Sequence, residues 1–181
     1  RPKMGDAADD FLWHLRWHGH EIIKNRIEKY KIDCDLKFGH IHTAYQPSHM
    51  KELEENYAQA ILKGMEDEVT LVDAKDMPNY LESDLYHGGL VNRHNMHLHS
   101  LNLCRGEAKV AHDQGALIFE DSKVLDIKHG DSPSVVTEFG EIKANSVMLS
   151  GNAYHRLGAI KMKGMIFPAC GGNVTTAPLG D

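Results

Sequence analysis

From Asp6 to Tyr30, apolar side chains return at helical spacing between Lys, Arg and Glu: Phe11, Leu12, Leu15, Ile22, Ile23, Ile27 and Tyr30. The spacing predicts a helix over 6–30, with Asp6 as N-cap and Asp9 and Asp10 in the first turn. Residues 34–45 alternate apolar and polar positions and predict a strand. Pro47 and Ser48 open a second helix over about 48–63, rich in Glu, Leu and Ala. Val69–Val72 reads as a short strand, and 73–81 as a short helix interrupted by Pro78. Residues 85–99 combine a Gly-Gly pair with Asn-Arg-His-Asn, predicting two short strands or a hairpin with a loop-like middle.

A third helix is expected over 100–114, capped by Ser100 and closed by Gly115, with Leu101, Cys104, Ala108 and Ala111 on its inner face. Four extended segments follow: Ala116–Glu120, Lys123–Lys128, Ser134–Glu138 and Ser146–Leu149. Asp131-Ser-Pro and Gly140 supply turns between them. Val147-Met-Leu-Ser150 is almost wholly apolar and predicts a buried central strand. A short helix at 154–160 and strand-like residues at 164–177 complete the pass, with no internal repeat. The order of elements predicts an α+β fold on a mixed or largely antiparallel sheet.

Composition narrows the function classes. The 181 residues are 41% hydrophobic and 25% charged, as in ordinary globular domains, and a net charge of −6 argues against general binding to nucleic acid or a membrane surface. No apolar run approaches the roughly 20 residues of a membrane span. The first residues carry no signal-peptide pattern. Cys34, Cys104 and Cys170 lie far apart without CxxC spacing, which points to reduced thiols in the cytoplasm, with Cys34 and Cys104 buried and inert. Thirteen histidines would move the net charge from −6 to +7 (−6 + 13) on full protonation. His40 with His42, and His97 with His99 near His94, raise a zinc, nickel or copper site, but no carboxylate or thiol stands at ligand spacing, so no metal is assigned. Trp13 and Trp17, at i and i+4, are expected to pack in or at the rim of the core.

Three landmarks occur in order. His97-Leu-His-Ser-Leu-Asn-Leu103 leads into the helix that ends at Gly115. Gly115-Ala-Leu-Ile-Phe-Glu-Asp-Ser-Lys-Val124-Leu-Asp-Ile127 follows it, and Val147-Met-Leu-Ser-Gly-Asn-Ala-Tyr154 comes last. In this order they resemble the D-amino-acid oxidase-like family of FAD-dependent oxidoreductases, which includes glycine, sarcosine and γ-glutamylputrescine oxidases. Gly-Asn-Ala-Tyr154 in place of the commoner Gly-Ala-Trp, the segment Thr175-Thr-Ala-Pro-Leu-Gly-Asp181 and the passage Ile32–His40 look most like the γ-glutamylputrescine oxidase branch. The resemblance spans about residues 10–181.

The resemblance implies FAD as cofactor, with the backbone of Val124 beside the adenine and Gly151, Asn152 and Tyr154 near the pyrophosphate and ribose. It implies a small amine as substrate, held on a sheet built from about 36–45 and 85–94. Arg93 and His94 are the candidates to meet an anionic substrate group. Residues of about 30–100 would be substrate-lobe-like, 101–155 FAD-lobe-like, and 160–181 a return to the substrate lobe. The sequence has no G-x-G-x-x-G, the glycine loop that sets a helix N-terminus against the pyrophosphate. That implies an internal piece lacking the N-terminal βαβ unit, inactive alone and inclined to homo-oligomerise through uncovered surfaces. The rival readings are a non-catalytic oligomerising domain and a His-rich metal-binding protein.

Overall fold

The computed structural model describes residues 5–152, 169 and 171–177, which fall into two units, Arg1–Leu117 and Ile118–Asp181. Helices and small sheets together bear out the α+β expectation for the chain, and every strand ladder among the described residues is antiparallel.

The first unit opens with α1, Asp6–Tyr30. Its cap is Gly5, with φ of 84°, and Asp6 is already helical. The carboxylates of Asp6 and Asp9 therefore act on the helix dipole rather than as a cap. Lys31, left-handed at φ 52°, closes the helix by donating its N–H to Glu28 and Ile27 carbonyls. After it come β1 (Lys37–Thr43), α2 (Pro47–Leu62, with Pro in its first turn), β2 (Val69–Asp73) and a 3-10 turn at Ala74–Asn79 that contains Pro78. Then follow β3 (Gly88–His97) and α3 (Ser100–Asp113).

The sheet order is β1-β3-β2, so β3 is central. It is one continuous ten-residue strand, not the predicted hairpin. The loop-like signal marks a local irregularity instead. Asn92 Oδ1 accepts from the backbone N–H groups of His94 and Asn95, 2.9 Å each, and the β1 register shifts between Phe38 and His40. Gly88 is required here. A Cβ at that position would fall 2.6 Å from both the Val72 carbonyl oxygen and Met50 Sδ.

The two faces of this sheet build two cores. On one, Val69 and Leu90 meet Ala60, Met65, Tyr57 and Ile61, together with Trp13 and Trp17 of α1, as the tryptophan pattern predicts. On the other, Val72, Val91 and Ile41 meet Met77, Leu81 and Tyr86. The inner face of α1 is thus carried by Trp13 and Trp17, while Phe11, Leu12 and Leu15 remain exposed.

The start and the packing face of α3 both differ from the sequence reading. His99 is its cap, Nδ1 accepting from the Asn102 N–H at 3.3 Å, and Ser100 is the first helical residue. Leu101 and Cys104 are exposed, so Cys104 is not the buried thiol expected. Gly106 is the residue that presses on Ile32. Ala108 and Ala111, expected on the same face, are half-buried, but hydrophobic spacing cannot register a glycine as a contact and so misses Gly106.

The second unit holds one meander, β4 (Val124–Lys128), β5 (Ser134–Thr137) and β6 (Gly140–Lys143), in the order β4-β5-β6. Gly140 pairs with Thr137 and begins β6 instead of forming the turn. Buried Ser134 donates to Glu141 across this hairpin. Residues 116–120 and 146–149, expected to be strands, have no ladder partner among the described residues. An extended segment becomes a strand only when another pairs with it. Met148 is 89% exposed, against the expectation of a buried central strand over Val147–Ser150. Residues 171–177 take no regular structure, and the predicted helix at 154–160 lies outside the described residues, as do Tyr154 and Cys170.

Candidate functional site

Val124, Gly151 and Asn152 belong to the second unit. Val124 is the first residue of β4, which among the described residues pairs only with β5 and is an edge strand. Its partner is Thr137, its side chain is about one-third exposed at 36%, and the outer side of β4 carries no ladder among the described residues. Main-chain N–H and C=O groups on such an edge are available to a planar hydrogen-bonding ligand. Gly151 is exposed, and Asn152 has φ of 49°, a conformation Asn tolerates better than most residues. These features suit close approach of a ligand to the backbone.

Arg93 and His94 lie on the central strand of the other sheet, and they face opposite sides of it. Adjacent strand residues alternate faces. Arg93 donates Nη1–H to Thr70 Oγ1 at 2.9 Å, and its backbone N–H goes to the Glu68 carbonyl at 2.8 Å. His94 lies on the α1 side. Its ring meets Trp17 edge-to-face at 4.8 Å between centroids, and Trp17 meets His20 in the same way at 5.0 Å. His94 stands between two carboxylates, 3.7 Å from Glu21 and 3.8 Å from Glu68. The two candidates therefore do not converge on one small group, a consequence already implicit in their being neighbours on a strand.

The aromatic–imidazole cluster was missed at the level of sequence apart from His94. Its local half was visible: Trp17 and His20 are three apart on α1 and so share a face. Its long-range half, the contact of α1 with β3, carries no sequence signal. Burial is the first cause that holds the His20 pKa below the ordinary value, followed by the nearby charge of Arg16, then His94 and Lys24, against Glu21. His20 Nδ1 and Trp17 Nε1 are buried without a hydrogen-bond partner among the described residues. Such a group costs about 1–3 kcal/mol when nothing satisfies it.

Cys34 is almost fully buried, and burial pushes its thiol pKa up, with Asp33 and Asp35 adding to the effect. That is an inert structural thiol. Among the described residues no group of three or more His, Cys, Asp or Glu is placed to hold a metal ion, and no helix is long and apolar enough to cross a membrane.

Comparison with known proteins bears on the whole chain. The family description "FAD dependent oxidoreductase" (DAO) matches residues 1–181. The chain is 34% identical over 153 residues to the protein named "probable oxidoreductase OrdL" of Haemophilus influenzae, covering 84% of this chain and 36% of that protein. It is 34% identical over 143 residues to the γ-glutamylputrescine oxidoreductase of Escherichia coli, covering 79% of this chain and 33% of that protein. The chain thus spans about a third of the length of these relatives. In fold it is similar to glycine oxidase from Geobacillus kaustophilus, with a TM-score of 0.61 at 18% identity over 73% of this chain and 37% of that one. It is also similar to L-proline dehydrogenase from P. horikoshii, with a TM-score of 0.57 at 18% identity over 68% of this chain and 33% of that one.

Proposed function

The chain belongs to the FAD dependent oxidoreductase family, DAO, and from that premise we propose that it carries the adenine-side strand and the substrate-side sheet of an enzyme oxidising a small amine or amino acid at a C–N bond. The observation that carries this reading is the match across all 181 residues together with 34% identity to an oxidoreductase of γ-glutamylputrescine. The Gly-Asn-Ala-Tyr154 version of the third landmark favours that same branch, and so a polyamine-derived substrate.

In this reading residues of about 30–100 and 160–181 belong to the substrate lobe and 101–155 to the FAD lobe. The residues fit the adenine end of the cofactor. Val124 would offer edge main chain to the base and Gly151 and Asn152 would serve the pyrophosphate and ribose, a role the family resemblance gives to Tyr154 as well. They fit the pyrophosphate less well, since the sequence has no G-x-G-x-x-G. FAD, when bound, accepts the hydride from the amine carbon. The part left to the sheet residues 36–45 and 85–94 is to orient the amine and exclude water. Arg93 is the better placed of the two substrate candidates. It is exposed and oriented by Thr70, whereas His94 is engaged by Trp17, Glu21 and Glu68. The free thiols of Cys34 and Cys104 accord with a reducing, cytoplasmic compartment.

A second reading, a non-catalytic domain that associates with copies of itself, is favoured by the exposure of Leu117, Phe119 and Met148. Titrating the purified chain with FAD, AMP and FMN separates the two. The expected outcome is weak, saturable binding of FAD and AMP, none of FMN, and loss of both in Val124→Pro. Proline is tolerated at the first residue of an edge strand, so this variant keeps its fold while losing one main-chain donor. Binding of FMN equal to that of FAD, no binding of AMP, or indifference to the substitution would sink the adenine assignment. Tight stoichiometric FAD binding would show that the site is complete without the glycine loop.

A further inference from the structure

Between α1, α2 and the sheet face that carries Leu90 lies a cavity of about 220 Å³. Its polar walls are Arg16, Trp17, His40, His42 and the amides of Asn56, Gln59, Asn92 and Asn95, and its apolar floor includes Ala60, Met65, Val69 and Leu90. The chain has 26 acidic residues and a net charge of −6, yet among the described residues no Asp or Glu lines this cavity, and Arg16 is the one permanent charge on its walls. One wall is biased toward donation: Asn92 spends its carbonyl oxygen on two backbone N–H groups, which leaves its amide NH2 as the group it offers.

We propose that this cavity is a binding site for a small aliphatic monocarboxylate. The carboxylate meets Arg16 and the amide donors, and its alkyl tail lies on Met65, Val69 and Leu90. Charged hydrogen bonds of this kind are the stronger sort, and guanidinium matches carboxylate geometry. Water alone would fill the same space with roughly seven molecules at about 30 Å³ each, but it has no preference for a site whose walls offer donors and a cation over an apolar floor. The inference uses only residues of the first unit and does not depend on the flavin reading.

The chain's two tryptophans, Trp13 and Trp17, both line the cavity, so intrinsic fluorescence reports on this site directly. The purified chain is titrated with pentanoate, with its neutral isostere pentanamide, with acetate, and with sodium chloride at matched ionic strength. The expected result is a saturable change with pentanoate, at least tenfold weaker binding of acetate, and none with pentanamide or chloride. Arg16→Gln and Gln59→Glu each weaken pentanoate at least tenfold, with the far-ultraviolet circular dichroism of both variants unchanged. Because Arg16 and Gln59 are exposed, neither change removes core volume. Should either variant fail to fold, Asn92→Asp keeps the oxygen that accepts from the His94 and Asn95 N–H groups and replaces the amide donor with an anionic oxygen, and the same tenfold loss is expected. An equal response to pentanamide, a change that never saturates, or affinity untouched by the folded variants overturns the proposal.

Discussion

Gly106 of α3 presses its bare Cα against Ile32, so that a Cβ there would lie 2.3 Å from Ile32 Cγ2. Helix propensity alone favours alanine over glycine in a helix interior by about 1 kcal/mol. The contact opposes it. Ile32 is buried at 8% exposure and stiff at its branched Cβ, and it cannot withdraw as the end of a long side chain would. Overpacking of this kind costs about 1–3 kcal/mol. Gly106→Ala is therefore expected to destabilise the first unit despite its better propensity, measured as a lower urea midpoint with an unchanged slope. A stabilised variant would show that α3 does not sit on Ile32.

Gly19, in the middle of α1, gives the opposite sign. Nothing lies within 4 Å of a Cβ built there, and its φ lies outside the positive range in which side chains are strained. Gly19→Ala is expected to stabilise the chain by about 0.5–1 kcal/mol, since only unfolded-state entropy and helix propensity change. Thermal unfolding followed at the helix signal measures it. A loss of stability would mean that α1 packs more closely at Gly19 than the structure describes.

The contrast between these two glycines shows where sequence reading stops. Periodicity located α1, α2, α3, β1, β2, β4 and β5, because the apolar positions of each recur at the period of its backbone. It could not distinguish Gly106 from Gly19, since what separates them is Ile32, 74 positions from one and 13 from the other in a contact no spacing encodes. Continuity of β3 was hidden for a related reason. Asn92 folds its side chain onto the backbone of His94 and Asn95, and a turn-forming residue inside a strand reads as a loop. Residues 116–120 and 146–149 are apolar enough for strands, but pairing is a property of two segments, and no partner stands among the described residues. Of the candidate site, Val124 stands at the start of β4. Arg93 and His94 face apart, as neighbours on any strand must.

His20 sets a pH dependence whose sign is fixed by its surroundings. Burial, with Arg16, His94 and Lys24 nearby, lowers its folded pKa below the ordinary 6.5. The unfolded chain then takes up the proton first as pH falls. The contribution of neutral His20 is fully present above 6.5 and is lost as pH drops through 6.5 toward the lower folded value. With twelve other histidines present (13 − 1), the test is a difference. Urea unfolding of the wild-type chain and of His20→Gln is followed at a series of pH values from neutral into the mildly acidic range. The wild-type chain should lose more stability than the variant over that window. Parallel curves would mean that His20 titrates alike in the folded and unfolded chain.

Two apolar stretches of the chain are left facing water: Leu117, Ile118 and Phe119, at 78%, 49% and 61% exposure, and Met148 with Leu149, at 89% and 43%. Each lies in a run whose pattern is that of a strand and whose backbone has no ladder among the described residues. Apolar side chains next to unpaired extended backbone are a template for association, and charges placed within such runs are the usual remedy. The chain is therefore expected to associate with itself as its concentration rises, with sedimentation velocity reading the shift from monomer to larger species. Phe119→Lys with Met148→Lys should hold it monomeric without lowering its unfolding midpoint, because neither residue belongs to the buried core of its unit. Association undiminished in the double variant would place the interface elsewhere, with the exposed Phe11, Leu12 and Leu15 of α1 as the next surface to alter.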